Sequence, residues 1–285
     1  MGMAGFRWGL WVLCLVGLGC ASPVATGVGL QSEAVDLNDA GYLYYRQGKW
    51  DLAEQKFAQA LTLNRLIDRR DGIARNLNNL GAIAQEQGDL DQAGKYFQEA
   101  LDIQRPLGEP AGLSETLNNL GTLHQARGRL EEAEKAYQEA LFYARQAQPG
   151  PLPALTLTHL GDVARARGDF TLALDLYGQA LKLDEDRKDQ AGRAVRWERL
   201  GRTYLGKQDY ARASTYLRDA LREFRVFENT NGIVDALDSL TRLALALDNR
   251  QEALDYGDRL LKIYQARGQE REAKRLKKLL GLKVQ

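Results

Sequence analysis

The side chains from which a metal site or a nucleophile would have to be built are few. The 285-residue chain contains two histidines, His124 and His159, and two cysteines, Cys14 and Cys20. A zinc site needs three or four Cys, His or carboxylate ligands at set spacing, for example HExxH on one helix face. Neither histidine has that neighbourhood. His124 stands in register with Tyr44, Ala84, Ala164, Tyr204 and Ala244, which makes it a packing residue rather than a base. His159 shares a polar slot with Asn79, Asn119 and Arg199. Glu131, Glu132 and Glu134 read as a solvated helix face, and the Gly27-Val28-Gly29 run lacks the strand and helix that a phosphate loop requires. The expectation is therefore no catalytic residue, no metal, no cofactor and no small-molecule substrate. Lys plus Arg number 39 against 38 Asp plus Glu, a balance that gives no electrostatic reason to expect nucleic acid.

The registers just used exist because the chain repeats itself. LNNLGTLHQARGRLEEAEKAYQEALFYAR, from Leu117, aligns at a 40-residue shift with segments beginning at Leu37, Leu77, Leu157, Trp197 and Leu237. Six copies without an insertion mark a stacked repeat, not one globular core. They leave only 45 residues for everything else, too few for a catalytic domain. Leu117, Leu120, Gly121 and His124 fall on one stripe of a helix. Leu130, Ala133, Tyr137, Ala140, Leu141 and Ala144 do so for a second. Between the stripes Gly128 recurs as Gly48, Gly88 and Gly168, suited to a left-handed helix end. Asp89 with Gln92 reads as a capping box for a second helix. Each copy is thus a helical hairpin.

Small residues recur on both helices, as Gly41, Gly81, Gly121, Gly161 and Gly201 on the first and Ala53, Ala93, Ala133, Ala173, Ala213 and Ala253 on the second. These predict close packing inside each hairpin, with Phe57, Phe97, Tyr137 and Tyr177 filling a wider gap towards the next hairpin. A second echo, Gly72, Gly112, Gly192 and Gly232, precedes the first helices. It breaks at the connector between the third and fourth copies, where Pro149, Pro151 and Pro153 predict a stiff join that alters the pitch. In the last copy Thr241 replaces the glycine and Gly257 the aromatic. The amphipathic GQEREAKRLKKLLGLKVQ that follows reads as a cap over the final hairpin.

The Leu/Trp, Leu, Gly, Tyr, Ala, Phe/Tyr, Ala series resembles the tetratricopeptide repeat family over roughly residues 34 to 266. Its period is that of the longer variety, similar to kinesin light chain and Pins-type repeats. The resemblance implies an all-α fold, a right-handed superhelical solenoid of six hairpins plus a C-terminal capping helix. It also implies a concave groove that binds other proteins or extended peptides, lined by Asn38, Tyr42, Tyr45, Asn78, Gln85, Asn118, Gln125, Arg165, Arg202 and Arg242. An Asn ladder in the N-terminal half would hydrogen-bond a peptide backbone, and the arginines would meet an acidic segment. The alternative for LNNLG is a helix-packing preference.

Arg7, an apolar run from Trp8 to Leu18, and small residues up to Cys20 have the layout of a bacterial export signal. Gly19-Cys20 after Leu18 resembles a lipobox and implies lipid attachment at Cys20. Uncleaved anchoring and ordinary secretion with cleavage near Ala21 or Ala25 are the two alternatives. With both cysteines in this leader, the repeat region has no thiol for an oxidising compartment to cross-link. Residues 1–19 are thus read as a signal peptide, 20–33 as a lipidated tether, 34–266 as six repeats starting near 34, 74, 114, 154, 194 and 234, and 267–285 as the capping helix. Ala21 and Ser22 carry no Asp retention signal, so resemblance to diderm lipoproteins implies the outer membrane, facing the periplasm. The functional expectation is a non-catalytic, lipid-anchored scaffold for assembling an envelope complex. A secreted, unanchored binder of peptides or glycans is the second reading, and an enzyme that recruits substrate through repeats the third.

Overall fold

A computed structural model of the chain describes residues 27–147 and 149–283. Residues 1–19, read from sequence as a signal peptide, and Cys20, read as a lipid-attachment site, lie outside the described residues. Thirteen α-helices make up nearly all of the described chain: α1 (Gly27–Arg46), α2 (Trp50–Leu66), α3 (Arg70–Glu86), α4 (Leu90–Leu107), α5 (Pro110–Ala126), α6 (Leu130–Gln146), α7 (Leu152–Ala166), α8 (Phe170–Asp186), α9 (Gln190–Gly206), α10 (Tyr210–Val226), α11 (Thr230–Ala246), α12 (Arg250–Ala266) and α13 (Glu270–Leu279). None is long and apolar enough to cross a membrane. Because α1 starts at Gly27, residues 27–33, read from sequence as tether, belong to the first helix.

Consecutive helices pair as α1 with α2, α3 with α4, and so on through α11 with α12. Each second helix also packs on the first helix that follows. First helices touch one another across hairpins, α3 with α5, α5 with α7, α7 with α9 and α9 with α11, whereas consecutive second helices make no comparable contact. The stack therefore curves with its first helices inside. α13 lies against α12 as a final cap.

The small positions lie where the helices close. All six alanines of the second-helix series are fully buried. The glycines of the first helices have a more specific partner than the sequence indicated. A Cβ at Gly81 would lie 2.5 Å from the Phe97 ring, one at Gly161 2.5 Å from Tyr177, and one at Gly121 would run into Tyr137. The aromatics thus sit on the glycines of their own hairpin, which corrects the expectation that they fill only the gap to the next. A flat ring needs a bare backbone beneath it to let the helices approach. In the last hairpin the sizes are exchanged: Thr241 carries the side chain, Gly257 is bare, and the fully buried Leu280 occupies the space above Gly257.

The connector glycines follow the same rule. A Cβ at Gly72 would strike Asn64, at Gly112 Gln104, at Gly192 Asp184 and at Gly232 Phe224, each at 2.5 to 2.6 Å. At the connector between the third and fourth hairpins the opposing residue is the small, buried Ala144, and Leu152 stands where the others have glycine. The proline run there starts α7, with Pro in its first turn. α6 still packs on α7 and α5 still reaches α7, so the stack continues through the join. Asp89 caps α4 by accepting the Gln92 N–H at 2.9 Å. Left-handed turn residues include Gly128 and also Gln208 and Asp248, so this turn geometry is imposed by the flanking helices even where no glycine is present.

Candidate functional site

The inner face divides into two differently built halves. In the N-terminal half a cavity of about 260 Å³ opens between α1, α3, α5 and α7. Tyr42, Tyr45, Leu152 and Leu155 supply its apolar walls, and Arg75, Asn78, Asn79, Glu115, Asn118 and Asn119 its polar groups. Tyr42 and Leu155 remain substantially exposed. Tyr45 sits edge-on to Trp50 and Tyr42 edge-on to Phe57, which fixes both rings without covering them. Burial raises the Glu115 carboxyl above its ordinary value, and the nearby Arg75 opposes that shift.

Asn38, Asn78 and Asn118 serve a different purpose from the peptide ladder expected of them. Asn78 and Asn118 are buried. The Asn78 side-chain amide donates to Thr116 Oγ1 at 2.8 Å, and that of Asn118 to Thr156 Oγ1 at 2.8 Å. Asn38 Oδ1 accepts from Asn76 and Asn79, both at 3.0 Å. These asparagines are struts between neighbouring hairpins, and the amide donors of Asn78 and Asn118 are already engaged. Asn79 and Asn119, one residue further on, line the cavity as well. Asn79 is tied back by the Tyr42 hydroxyl, which donates to its Oδ1 at 3.0 Å. The Asn119 side chain makes no hydrogen bond among the described residues while lining the cavity. Both members of each pair line the cavity, so the sequence reading of Asn78 and Asn118 missed Asn79 and Asn119 beside them. The polar row Asn76, Thr116, Thr156, Arg196, one repeat apart beside buried leucines, was the signal that pointed to the seam.

Gln85 and Gln125 lie half-buried further along the first helices, and Gln125 Oε1 accepts from the Tyr137 hydroxyl at 3.1 Å. Neither belongs to the cavity lining.

The C-terminal half is held by charge. Asp184 and Arg196 form a pair at 3.1 Å with side chains 1% and 7% exposed. Asp162 accepts from the Tyr177 hydroxyl at 2.7 Å and pairs with Arg199 at 3.3 Å. Arg199 also bonds Glu198, whose carboxyl is raised by burial and drawn back by Arg199 and Arg202. The three arginines expected to greet an acidic segment each face a carboxylate on their own helix: Arg165 with Asp162 at 3.8 Å, Arg202 with Glu198 at 3.5 Å and Arg242 with Asp238 at 2.7 Å. These cations are charge-balanced, because acid and base at a spacing of three or four meet on one helix face. A second cavity, about 390 Å³, lies here between Arg202, Asp235, Asp238, Arg242, Tyr264 and α13.

The histidines are held by packing, and they do not share a site. His159 stacks on Tyr137 with ring centroids 5.0 Å apart, and burial pushes its pKa down to about 4. His124 is also lowered by burial. No group of three or more His, Cys, Asp or Glu side chains that could hold a metal occurs among the described residues.

A curved stack of paired helices with a polar and aromatic inner face defines a solenoid scaffold for protein and peptide contacts, a non-catalytic class. Residues 113–276 match the family profile described as the MalT-like TPR region, and residues 31–106 and 72–146 match the tetratricopeptide repeat. The chain belongs to the tetratricopeptide repeat family. No curated protein matches it in sequence. Among solved structures it is similar to a Rap protein complexed with competence and sporulation factor, at 17% identity and TM-score 0.66, over 90% of this chain and 77% of that one. It is also similar to PilF of Pseudomonas aeruginosa (20%, TM-score 0.56, 83% and 94%) and to PilW, described as a type IV pilus biogenesis factor (21%, 0.58, 81% and 94%).

Proposed function

We propose that the chain is an exported, lipid-anchored scaffold that holds an extended segment of a partner protein in the N-terminal half of its groove. The observation that carries this reading is the cavity shared by four hairpins, where exposed Tyr42 and Leu155 flank the uncommitted Asn119 amide. Apolar walls with a few convergent polar groups are the general form of a binding site. The segment bound there combines an apolar side chain, seated among Tyr42, Tyr45 and Leu155, with polar backbone or side-chain groups for Asn119, Arg75 and Glu115. One solved structure of the same fold is a type IV pilus biogenesis factor by description, and another was crystallised with a factor bound. These likenesses support an adaptor role in envelope assembly. Anchoring rests on Gly19-Cys20 after a short apolar run, with the outer membrane, facing the periplasm, as destination. The partners are proteins, with the membrane reached through the lipid at Cys20.

Two experiments test the reading. A photo-crosslinking residue at 119 should capture a partner segment in cells, whereas one at Lys135, on a second helix, should not; equal capture from both sites contradicts the groove. Labelled fatty acid should enter the wild type and not Cys20→Ser, and label retained in that variant contradicts the anchor.

A further inference from the structure

The capping helix carries a feature that the cap does not use, and only Arg275 of it borders the C-terminal cavity. Arg271, Lys274, Arg275 and Lys278 follow one another at spacings of three, one and three. At 3.6 residues per turn they form one stripe. Ala273, Leu276 and Leu280, all buried, lie on the opposite side of the helix, so the stripe faces outward, and each of its four residues is exposed. None of the four side chains makes an ion pair or a hydrogen bond among the described residues. This contrasts with the cations of the preceding hairpins, many of which pair with a neighbouring acid, as Arg218 does with Glu252 and Lys262 with Asp258. The helix's own acids, Glu270 and Glu272, sit in its first turn and off the stripe. Residues 270–283 hold six basic and two acidic side chains in a chain whose total net charge is +1, so positive charge is concentrated at this end. Leu279 and Leu282, 39% and 38% exposed, lie beside the stripe.

We infer that the outer face of α13 is a contact surface for anionic phospholipid. Like charges kept together without counter-ions, on a helix whose packing does not require them, repel one another in isolation and are stabilised by a surface of opposite sign. A bilayer with anionic headgroups presents such a surface to a flat row of four cations. The two exposed leucines at the helix end are suited to enter the headgroup boundary, as apolar residues beside a basic face do on interfacial helices. The contact stands apart from the lipid at Cys20 and from the N-terminal cavity, borders the C-terminal cavity at Arg275 and Leu279, and orients the solenoid by its C-terminal end.

The test is flotation of the full chain with vesicles of neutral phosphatidylcholine alone or containing 30% phosphatidylglycerol, so that any contribution of the leader or its lipid is common to both. Wild type should partition at least tenfold better to the anionic vesicles at low salt, and this preference should fall as salt rises. The triple variant Arg271→Glu, Lys274→Glu, Lys278→Glu should lose the preference while keeping its helical content and melting temperature. No preference in the wild type, or a preference retained by the triple variant, overturns the inference. So does tight, salt-sensitive binding of soluble polyglutamate without vesicle preference, which assigns the stripe to an acidic protein instead. Cys20→Ser should retain the anionic preference, which separates failure of this surface from failure of the anchor.

Discussion

The two halves of the inner face solve one mechanical problem with different chemistry. Between the first four hairpins the seams are spanned by neutral hydrogen bonds, Asn76 to Asn38, Asn78 to Thr116 and Asn118 to Thr156. From the fourth hairpin onward the same places hold ions, Asp184 with Arg196 and Asp162 with Arg199. A neutral amide costs little to bury once bonded, and its loss costs about 1 kcal/mol beyond any unsatisfied partner. A buried ion pair adds little net stability, but breaking it strands a charge. The N-terminal half is therefore tolerant and leaves its cavity free for a ligand. The C-terminal half is fixed in register by groups that cannot be separated cheaply.

The sharpest way to break this contrast is to remove one ion. Asp184→Ala should destabilise the protein by about 3 to 5 kcal/mol, because Arg196 is left buried without its partner. The double change Asp184→Leu with Arg196→Met should recover most of that loss in denaturant unfolding. A small loss in the single variant, or no recovery in the double, would show that the pair is solvated.

His159, at the border between the halves, gives the pH dependence. It is neutral in the fold with a pKa near 4, whereas an unfolded histidine titrates near 6.5. The unfolded chain thus binds the extra proton between these values. The histidine's contribution is complete above about pH 6.5, is lost as pH falls towards 4, and is worth roughly 3 kcal/mol at most. His159→Asn, which installs the residue found at 79 and 119, should flatten that part of the stability profile.

The packing rule predicts a smaller effect. Gly121→Ala should cost about 1 to 3 kcal/mol by displacing the Tyr137 ring. Leu152→Gly, opposite Ala144, should destabilise rather than relieve its connector, because no large residue there needs the space. Equal melting temperatures for wild type and Leu152→Gly would contradict the size exchange.

How much of this could be read from the chain depends on what fixes each feature. Hairpins, their small contact residues and the terminal cap follow from periodicity alone, because one face of each helix must be buried wherever the stack runs. The partner of each small residue does not. Gly121 and Tyr137 are sixteen residues apart, and only the coordinates show that the ring rests on that glycine. The site is harder still. Asn118 and Asn119 are chemically identical and differ by about 100° around one helix. Both line the cavity, but the first has its amide bonded to the next hairpin and the second has its amide unbonded among the described residues. Likewise Arg165, Arg202 and Arg242 look like free cations until their carboxylates at i−3 or i−4 are considered.

That one-residue offset is also where the account is most exposed. Asn118→Ala and Asn119→Ala should be compared in the same two assays, thermal unfolding and binding to an array of extended peptides bearing a central apolar residue. Asn118→Ala is predicted to lower stability by about 1 to 2 kcal/mol with the folded protein's peptide profile unchanged. Asn119→Ala is predicted to leave the melting temperature in place and to weaken the strongest peptides by about fivefold to tenfold, the worth of roughly 1 kcal/mol. The reverse pattern, with Asn119→Ala unfolding early and Asn118→Ala losing peptides, would contradict the division between strut and groove.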